Sequence, residues 1–525
     1  MRLPAEAQRA RYLTFLLLLA VALVGFAHAA LLPPWEGFDE TAHWSYIQQL
    51  SDTGHPPKYG RDGVAADVMA YPGPMPYGDA PPFEKTGRPT YRDFRLSGAH
   101  AVAGGPTHYK SAGSLNWQAQ HPPLYYALLV PIYRLSHGMG WVNSFFVLRE
   151  VSFALAFGGF AIGVIGTAGF VRGGAGVWGG PVIAAWPFLF PEFFPEFARL
   201  GNDSLCLLLA SIAWVLTLRL LTGVGRWPSS VGLGLALGLG LLTKAFFLPI
   251  GAGIGLLLLA RWWLQGRRPE VLAQALLAGV IALAIGGWWY LSKKLETGSW
   301  VGSDEFIRLS QAGGAAKIAH GISGPALLRG LAIIPATFVW AGTWSLARLP
   351  EVLLLPPLLL LVIALASYFR GLTAKDLVAW APVAFTLPVL AGLVYHVFVW
   401  MAGSSAATPG WYLHILAAPL GFAIALGWTR PRLFAGLTAL SVLYTFAAWA
   451  FQLSMFSGCA AKIGADKHYS LQGSACFVDV GALGAIAHPW AGLIALVLGA
   501  VLALAAGAMA LQAYKPRSVE GPVPI

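Results

Sequence analysis

Asp39, Glu40 and His43 stand within five residues of one another, in the segment Pro33-Pro34-Trp35-Glu36-Gly37-Phe38-Asp39-Glu40-Thr41-Ala42-His43-Trp44. Adjacent carboxylates can divide one task. The first takes the proton of an attacking hydroxyl as general base, and the second orients the acceptor or binds a metal. A free aspartate has a pKa of about 3.9 and is a weak base at neutral pH; partial burial strengthens it. His43 follows Asp39 by four residues, which puts both on one face of a helix. There it could contact a phosphate, ligate a metal or simply pack. Asp39, Glu40 and His43 also supply ligand types that suit a divalent ion such as Mg or Mn, although their spacing matches no recognised metal motif. The plainer reading makes Asp39 the cap of a helix running through Tyr46 to Leu50, with both acids favoured by its dipole. The two readings are compatible.

Other polar candidates are scattered along the chain. His121 heads the apolar stretch His121-Pro122-Pro123-Leu124-Tyr125-Tyr126. A helix starting there offers an imidazole and free N–H groups to an anionic headgroup, unless the His-Pro turn only sets the helix start. Lys244, in Leu242-Thr243-Lys244, sits at a short hairpin between two apolar runs, which would hold its positive charge at the interface. Arg199 and Asp203 follow Phe190-Pro191-Glu192-Phe193-Phe194-Pro195-Glu196. Proline-broken apolar backbone with acids is tolerated at membrane depth only inside protein or along a cavity, so this stretch reads as a site wall. The bland alternative is an Arg199–Asp203 pair at i,i+4. Lys293 and Lys294 read as snorkelling cations at a span end. Most of the 21 Trp form an interfacial belt, with Trp288, Trp289, Trp411 and Tyr412 at predicted interfaces. Cys206 lies in an apolar run and packs. Cys459 and Cys476 share one polar loop; an oxidising compartment would pair them, and otherwise they are two unrelated thiols.

These residues must be positioned by membrane-spanning elements. Of 525 residues, 57% are hydrophobic and only 11% charged, against about 25% charged in a soluble domain. The fold class expected is an all-α polytopic membrane protein. Apolar runs of about 20 residues, the length needed to span, fall at 13–32, 147–171, 178–198, 203–222, 230–245, 247–264, 271–291, 351–369, 377–400, 411–428, 433–452 and 489–511. That makes about twelve spans with both termini inside. Arg172, Arg219, Arg226, Arg261, Arg267, Arg268, Arg370, Lys375, Arg430, Arg432, Lys515 and Arg517 then share the cytoplasmic side, as the positive-inside rule requires. The net charge of +11 is thus spent on topology, and no nucleic-acid partner is expected. The apolar runs at 123–137 and 327–346 would invert that bias if either crossed alone, so both read as interfacial or re-entrant helices.

Large hydrophilic segments then share the outer face. The first, 33–121, holds nine of the 23 acids and is functional rather than a connector; the second is 292–349. The chain divides into a transmembrane catalytic module, 1–452, and a tail of 453–525. That tail comprises the outer cysteine loop, the last span and a cytoplasmic end.

In order, the acidic pair after the first span, His121-Pro122-Pro123-Leu124-Tyr125-Tyr126, Asn202-Asp203, Leu242-Thr243-Lys244, Trp288-Trp289-Tyr290 and Gly410-Trp411-Tyr412-Leu413 resemble the GT-C superfamily of polyprenyl-phosphate-sugar-dependent membrane glycosyltransferases. That superfamily includes protein O-mannosyltransferases, aminoarabinose transferases and mycobacterial arabinosyltransferases. The resemblance covers about 15–425. It implies an inverting transfer of a sugar from a polyprenyl-phosphate donor to a glycan, lipid or protein hydroxyl. The place would be the extracytoplasmic face of a bacterial inner membrane, within cell-envelope glycan or glycolipid synthesis. The family's first loop acid gives Asp39 the role of base. Glu40 joins it, with His43, His121, Lys244, Arg199, Asp203, Tyr412 and His414 as candidates for donor phosphate or substrate. The family often carries Gly-Arg-Tyr-Leu where this chain has Gly410-Trp411-Tyr412-Leu413, so a cation is missing there, and His414 is the candidate to replace it. The competing class is a transporter or flippase of a lipid-linked glycan. That function favours charges inside spans and inverted repeats, whereas the polar residues here gather on one predicted face.

Overall fold

The first apolar run forms one helix, Ala5–Leu31, which stops before Pro33-Pro34 because proline cannot supply the next helical N–H. The computed structural model describes residues 5–74, 89–99, 108–300, 309–345, 350–400, 410–463, 468–470 and 476–513. Asp79, Glu84, Arg348, Lys515 and Arg517 lie outside them. Among the described residues, eight helices are long and apolar enough to cross a membrane: Ala5–Leu31, Trp141–Ala168, Asp203–Leu221, Phe247–Leu264, Pro269–Thr297, Glu351–Gly371, Leu377–Val399 and Arg432–Phe456. Their outward residues, among them Ile165, Leu256, Val280, Val362 and Leu443, are exposed and apolar. The protein is an all-α polytopic membrane protein. Among the described residues its strands are confined to two antiparallel pairs, Gly63–Ala65 with Ser111–Leu115 and Ala461–Ile463 with His468–Ser470.

The remaining expected spans are not all long helices. The run at 178–198 breaks into Gly179–Ala184, Trp186–Leu189 and Phe193–Ala198, because Pro187, Pro191 and Pro195 interrupt the N–H ladder. The run at 230–245 lies mostly in a helix of 16 residues, Arg226–Leu241, and that at 411–428 starts as a 3-10 turn, Gly410–Leu416, before Ala417–Leu426. The run at 489–511 lies within Pro489–Ala513, which packs along Ala5–Leu31. The stretch at 123–137 becomes a 13-residue helix, Leu124–Ser136, too short to span. Gly324–Val339, which carries most of the apolar run at 327–346, meets Ala315–Gly321 at 105°, so a sharp bend precedes that run.

These elements converge on the segment after the first helix. Helix Glu40–Thr53 ends at Gly54, whose left-handed backbone returns its N–H to Leu50. Helix Leu124–Ser136 packs against it and starts by donating Leu124 N–H to the Leu242 carbonyl, 3.1 Å away. That bond docks the His121 turn on the Thr243-Lys244 hairpin. Asn202 Nδ2 donates to the Thr243 carbonyl from the other side, 3.4 Å. Gly410 allows a third approach: a side chain there would collide with the Ile334 carbonyl, and its N–H donates to Thr337 Oγ1 at 2.6 Å. This contact sets Trp411 and Tyr412 against the same region. Cys459 and Cys476 form a disulfide; Cys206 is buried and unpaired.

Candidate active site

Asp39 sits at the N-cap position of helix Glu40–Thr53 but makes no side-chain cap bond. Its backbone is left-handed, φ 63°, and this turns the carboxylate away from the helix end. Trp35, four residues earlier, is also left-handed, φ 70°. Such conformations cost non-glycine residues about 1–3 kcal/mol each and persist only where the surroundings over-determine them. Instead of capping, Asp39 Oδ1 accepts from Trp117 Nε1 at 2.8 Å. Asn116 places that indole: it caps the following 3-10 turn through Gln118 N–H at 3.0 Å and donates to the Ala42 carbonyl at 3.2 Å. Asp39 is half-buried, while Phe38 and Glu40 beside it are closed off. Burial raises its pKa above the usual carboxylate value, and the nearby charges of Arg199 and Lys244 draw it part of the way back.

Glu40 points elsewhere. Arg149, on the Trp141–Ala168 helix, donates to it twice, Nε to Oε1 at 2.7 Å and Nη2 to Oε2 at 2.5 Å. Gly37 N–H and Leu200 N–H complete its shell at 3.1 and 2.8 Å, and both partners are fully buried. Glu40 therefore ties the first loop to the Trp141–Ala168 helix and to the turn at Leu200, with both oxygens already engaged. His43 is also engaged: its Nδ1 shares a hydrogen bond with the Tyr126 hydroxyl, 3.0 Å. Burial and the cations around it hold its pKa well below the ordinary value. The expected triad of Asp39, Glu40 and His43 for Mg or Mn does not form. Among the described residues no three metal-binding side chains converge; Glu40 is taken up by Arg149 and His43 by Tyr126.

The remaining candidates meet around Asp39. Arg199 donates to Glu196 Oε1 and Asp203 Oδ2 through Nη2, 2.6 and 2.9 Å, and to the Phe38 carbonyl through Nη1, 3.0 Å. The i,i+4 pair is thus present, but it extends further. Lys244 Nζ donates to both oxygens of Asp203 at 2.8 Å and lies 4.3 Å from the centre of the Tyr412 ring. His121 is partly open; burial and the Lys244 charge push its pKa down to about 3, so it stands there as a neutral imidazole. Lys293 and Lys294 do not join: Lys293 pairs with Glu296, and Lys294 donates to the Gly298 carbonyl.

His414 does not supply the missing cation. Its Nδ1 accepts from Trp186 Nε1 at 3.0 Å and its Nε2 donates to the Phe338 carbonyl at 2.8 Å. This fixes a neutral tautomer inside the protein, with the ring stacked on Phe338. The cation near the Gly410-Trp411-Tyr412-Leu413 turn is Lys244, which comes from a different hairpin and lies against Tyr412.

Sequence reasoning missed Arg149, Glu36, Trp117 and Tyr126 as site-building residues. Arg149 carried a signal, since a buried charge in an apolar run rarely stands without a partner. Tyr126 belonged to the 121–126 motif but had no role assigned from it, and Trp117 carried no signal beyond its proximity to His121.

No family model matches the chain, and no curated protein matches it. Among solved structures it is similar to ArnT from Cupriavidus metallidurans in the apo state, at 13% identity and TM-score 0.45, over 94% of this chain and 76% of that one. The form of ArnT bound to undecaprenyl phosphate is similar at 13% identity and TM-score 0.44, over 95% and 77%.

Proposed function

We propose that this chain is a GT-C-type glycosyltransferase that moves a sugar, with inversion, from a polyprenyl-phosphate donor to an acceptor hydroxyl. We place the reaction at the extracytoplasmic face of a bacterial inner membrane, in cell-envelope glycan or glycolipid synthesis. The observation that carries this reading is the state of Asp39: a half-open carboxylate, withheld from helix capping, with one oxygen tethered to Trp117 and two cations nearby.

In this reading each residue of the cluster has a role. The acceptor hydroxyl attacks the anomeric carbon and passes its proton to Asp39 as the new C–O bond forms. The bond from the anomeric carbon to the phosphate oxygen breaks in the same displacement, which inverts the configuration. The departing phosphate gathers negative charge, and preformed donors stabilise it without reorganising. Lys244 and the neutral N–H of His121 are those donors, while Arg199 holds Asp203 and Phe38 in register. Tyr412 lies against the Lys244 ammonium and walls this side. The membrane helices hold the isoprenoid tail among lipids.

Purified protein given a polyprenyl-phosphate sugar and candidate acceptors is expected to release polyprenyl phosphate in step with sugar transfer. Movement of lipid-linked glycan across vesicles with no sugar transferred would favour the flippase alternative instead.

A further inference from the structure

A second carboxylate, Glu36, is fully buried three residues before Asp39, and among the described residues no cation pairs with it. Its partners are neutral donors from two separate segments. Tyr91 Oη, from helix Tyr91–Ser97 of the first loop, donates to Oε1 at 2.6 Å. Thr343 Oγ1 donates to Oε2 at 2.6 Å, Ser345 Oγ to Oε1 at 2.5 Å and Ser345 N–H to Oε2 at 3.2 Å. The Glu36 carbonyl accepts Trp344 N–H at 2.9 Å. Four donors saturate one carboxylate, and three of them come from the strap 343–345.

The same strap has a second anchor. Glu192 Oε2 accepts the consecutive N–H groups of Ala341 and Gly342 at 2.7 and 2.8 Å. Gly342 is left-handed, φ 80°, and this turn aims successive amides at one anion. Glu192 N–H returns a bond to the Val339 carbonyl at 3.2 Å.

Each anchor sits one helical turn or less from a site residue. Glu36 precedes Phe38 and Asp39. Glu192 precedes Glu196, which holds Arg199. Between them the strap places Trp344 edge-on to Phe38, 5.2 Å between ring centres, and Phe38 stacks on Trp411 at 4.2 Å. The Phe38 carbonyl is also where Arg199 Nη1 donates. The strap therefore links the segment bearing the carboxylate to the segment bearing the guanidinium.

We infer that Glu36 and Glu192 are positioning residues: through the strap 340–345 they set the separation between Asp39 and the Arg199–Asp203–Lys244 cluster. This inference rests on the transferase reading for its functional consequence. It also accounts for left-handed Asp39, since Glu36 and Glu40 hold the turn on either side of it.

The test uses the full-length protein in lipid nanodiscs. Glu36→Gln keeps the shape but replaces one acceptor oxygen with a donor, which opposes the hydroxyls and N–H that face it. We expect kcat to fall about 10- to 100-fold, as a misplacement near 1 Å does, with the KM for donor little changed. The acid limb of the pH–rate profile should move, because the surroundings of Asp39 change. Ser345→Ala weakens the same clamp without altering charge and should act in the same direction. Combined with Glu36→Gln it should add little, as expected for two residues in one network. Independently of turnover, backbone hydrogen exchange over 340–345 should quicken in Glu36→Gln and in Glu192→Gln. Quickened exchange with unchanged kcat and pH profile overturns the positioning role, and unchanged exchange overturns the clamp itself. If the wild type transfers no sugar, the transferase reading falls, while the exchange rates still decide whether the two carboxylates pin the strap.

Discussion

In the proposed reaction Asp39 must be ionised before it can take a proton, so its titration governs the acid limb of activity. Burial raises its pKa from 3.8 and the cations only partly reverse that. The base form is lost as pH falls through the raised value, so transfer should decline on acidification with a midpoint above 3.8. His43 and His121, both held below the ordinary 6.5, stay neutral through this range and should add no second limb there. A pH–rate profile showing a limb at 6.5 that disappears in His121→Gln would contradict this assignment. Lys244 offers a second test at the same scale. Lys244→Met removes a charged donor worth about 1.5–3 kcal/mol. It should raise the KM for the lipid-linked donor about ten- to hundred-fold, read from initial rates across donor concentration. The prominence of Asp39 was legible in the sequence, because an acidic pair directly after a basic-flanked apolar helix has few other uses. The different fates of Asp39 and Glu40 were not. They depend on a left-handed residue at the helix entrance and on Arg149, more than 100 residues away.

At the scale of elements, the site is where short pieces meet among long ones. The Trp141–Ala168 helix contributes Arg149, whose link to Glu40 joins the first loop to the spanning helices. Removing one member of a buried pair leaves the other charge uncompensated, at a cost of about 3–5 kcal/mol. Arg149→Met should therefore lower the thermal unfolding midpoint in detergent by that equivalent and abolish transfer. A variant with wild-type stability would show that Glu40 finds no strain without its partner. The long helices were readable from apolar length alone. The stretch at 178–198 counts as one span by apolar length, although the proline-broken backbone around Pro191 and Pro195 already reads as a site wall. A run of aromatic residues kept its mean hydropathy high enough to pass for one span. That break matters, because it sets Glu192 and Glu196, both buried, at the start of and within the short helix Phe193–Ala198 that leads into Arg199.

At the scale of the whole molecule, composition settled the class early. Few charges and repeated apolar runs leave only a polytopic helical membrane protein, and the exposed apolar surfaces agree. The meeting of residues 39, 121, 199, 203, 244 and 412 at one place depends on tertiary docking. The Leu124–Leu242 bond and the close approach at Gly410 are its visible instruments, and neither has a local sequence signature. The proposed reaction needs one carboxylate, Asp39, whose ionised form takes a proton beside the cluster proposed to hold the donor phosphate. Its most direct test is release of polyprenyl phosphate from a lipid-linked sugar donor by Asp39→Asn, compared with wild type at equal folded concentration. The expected result is a loss of about 10²- to 10⁴-fold in turnover with donor binding retained. Full turnover by Asp39→Asn would contradict it.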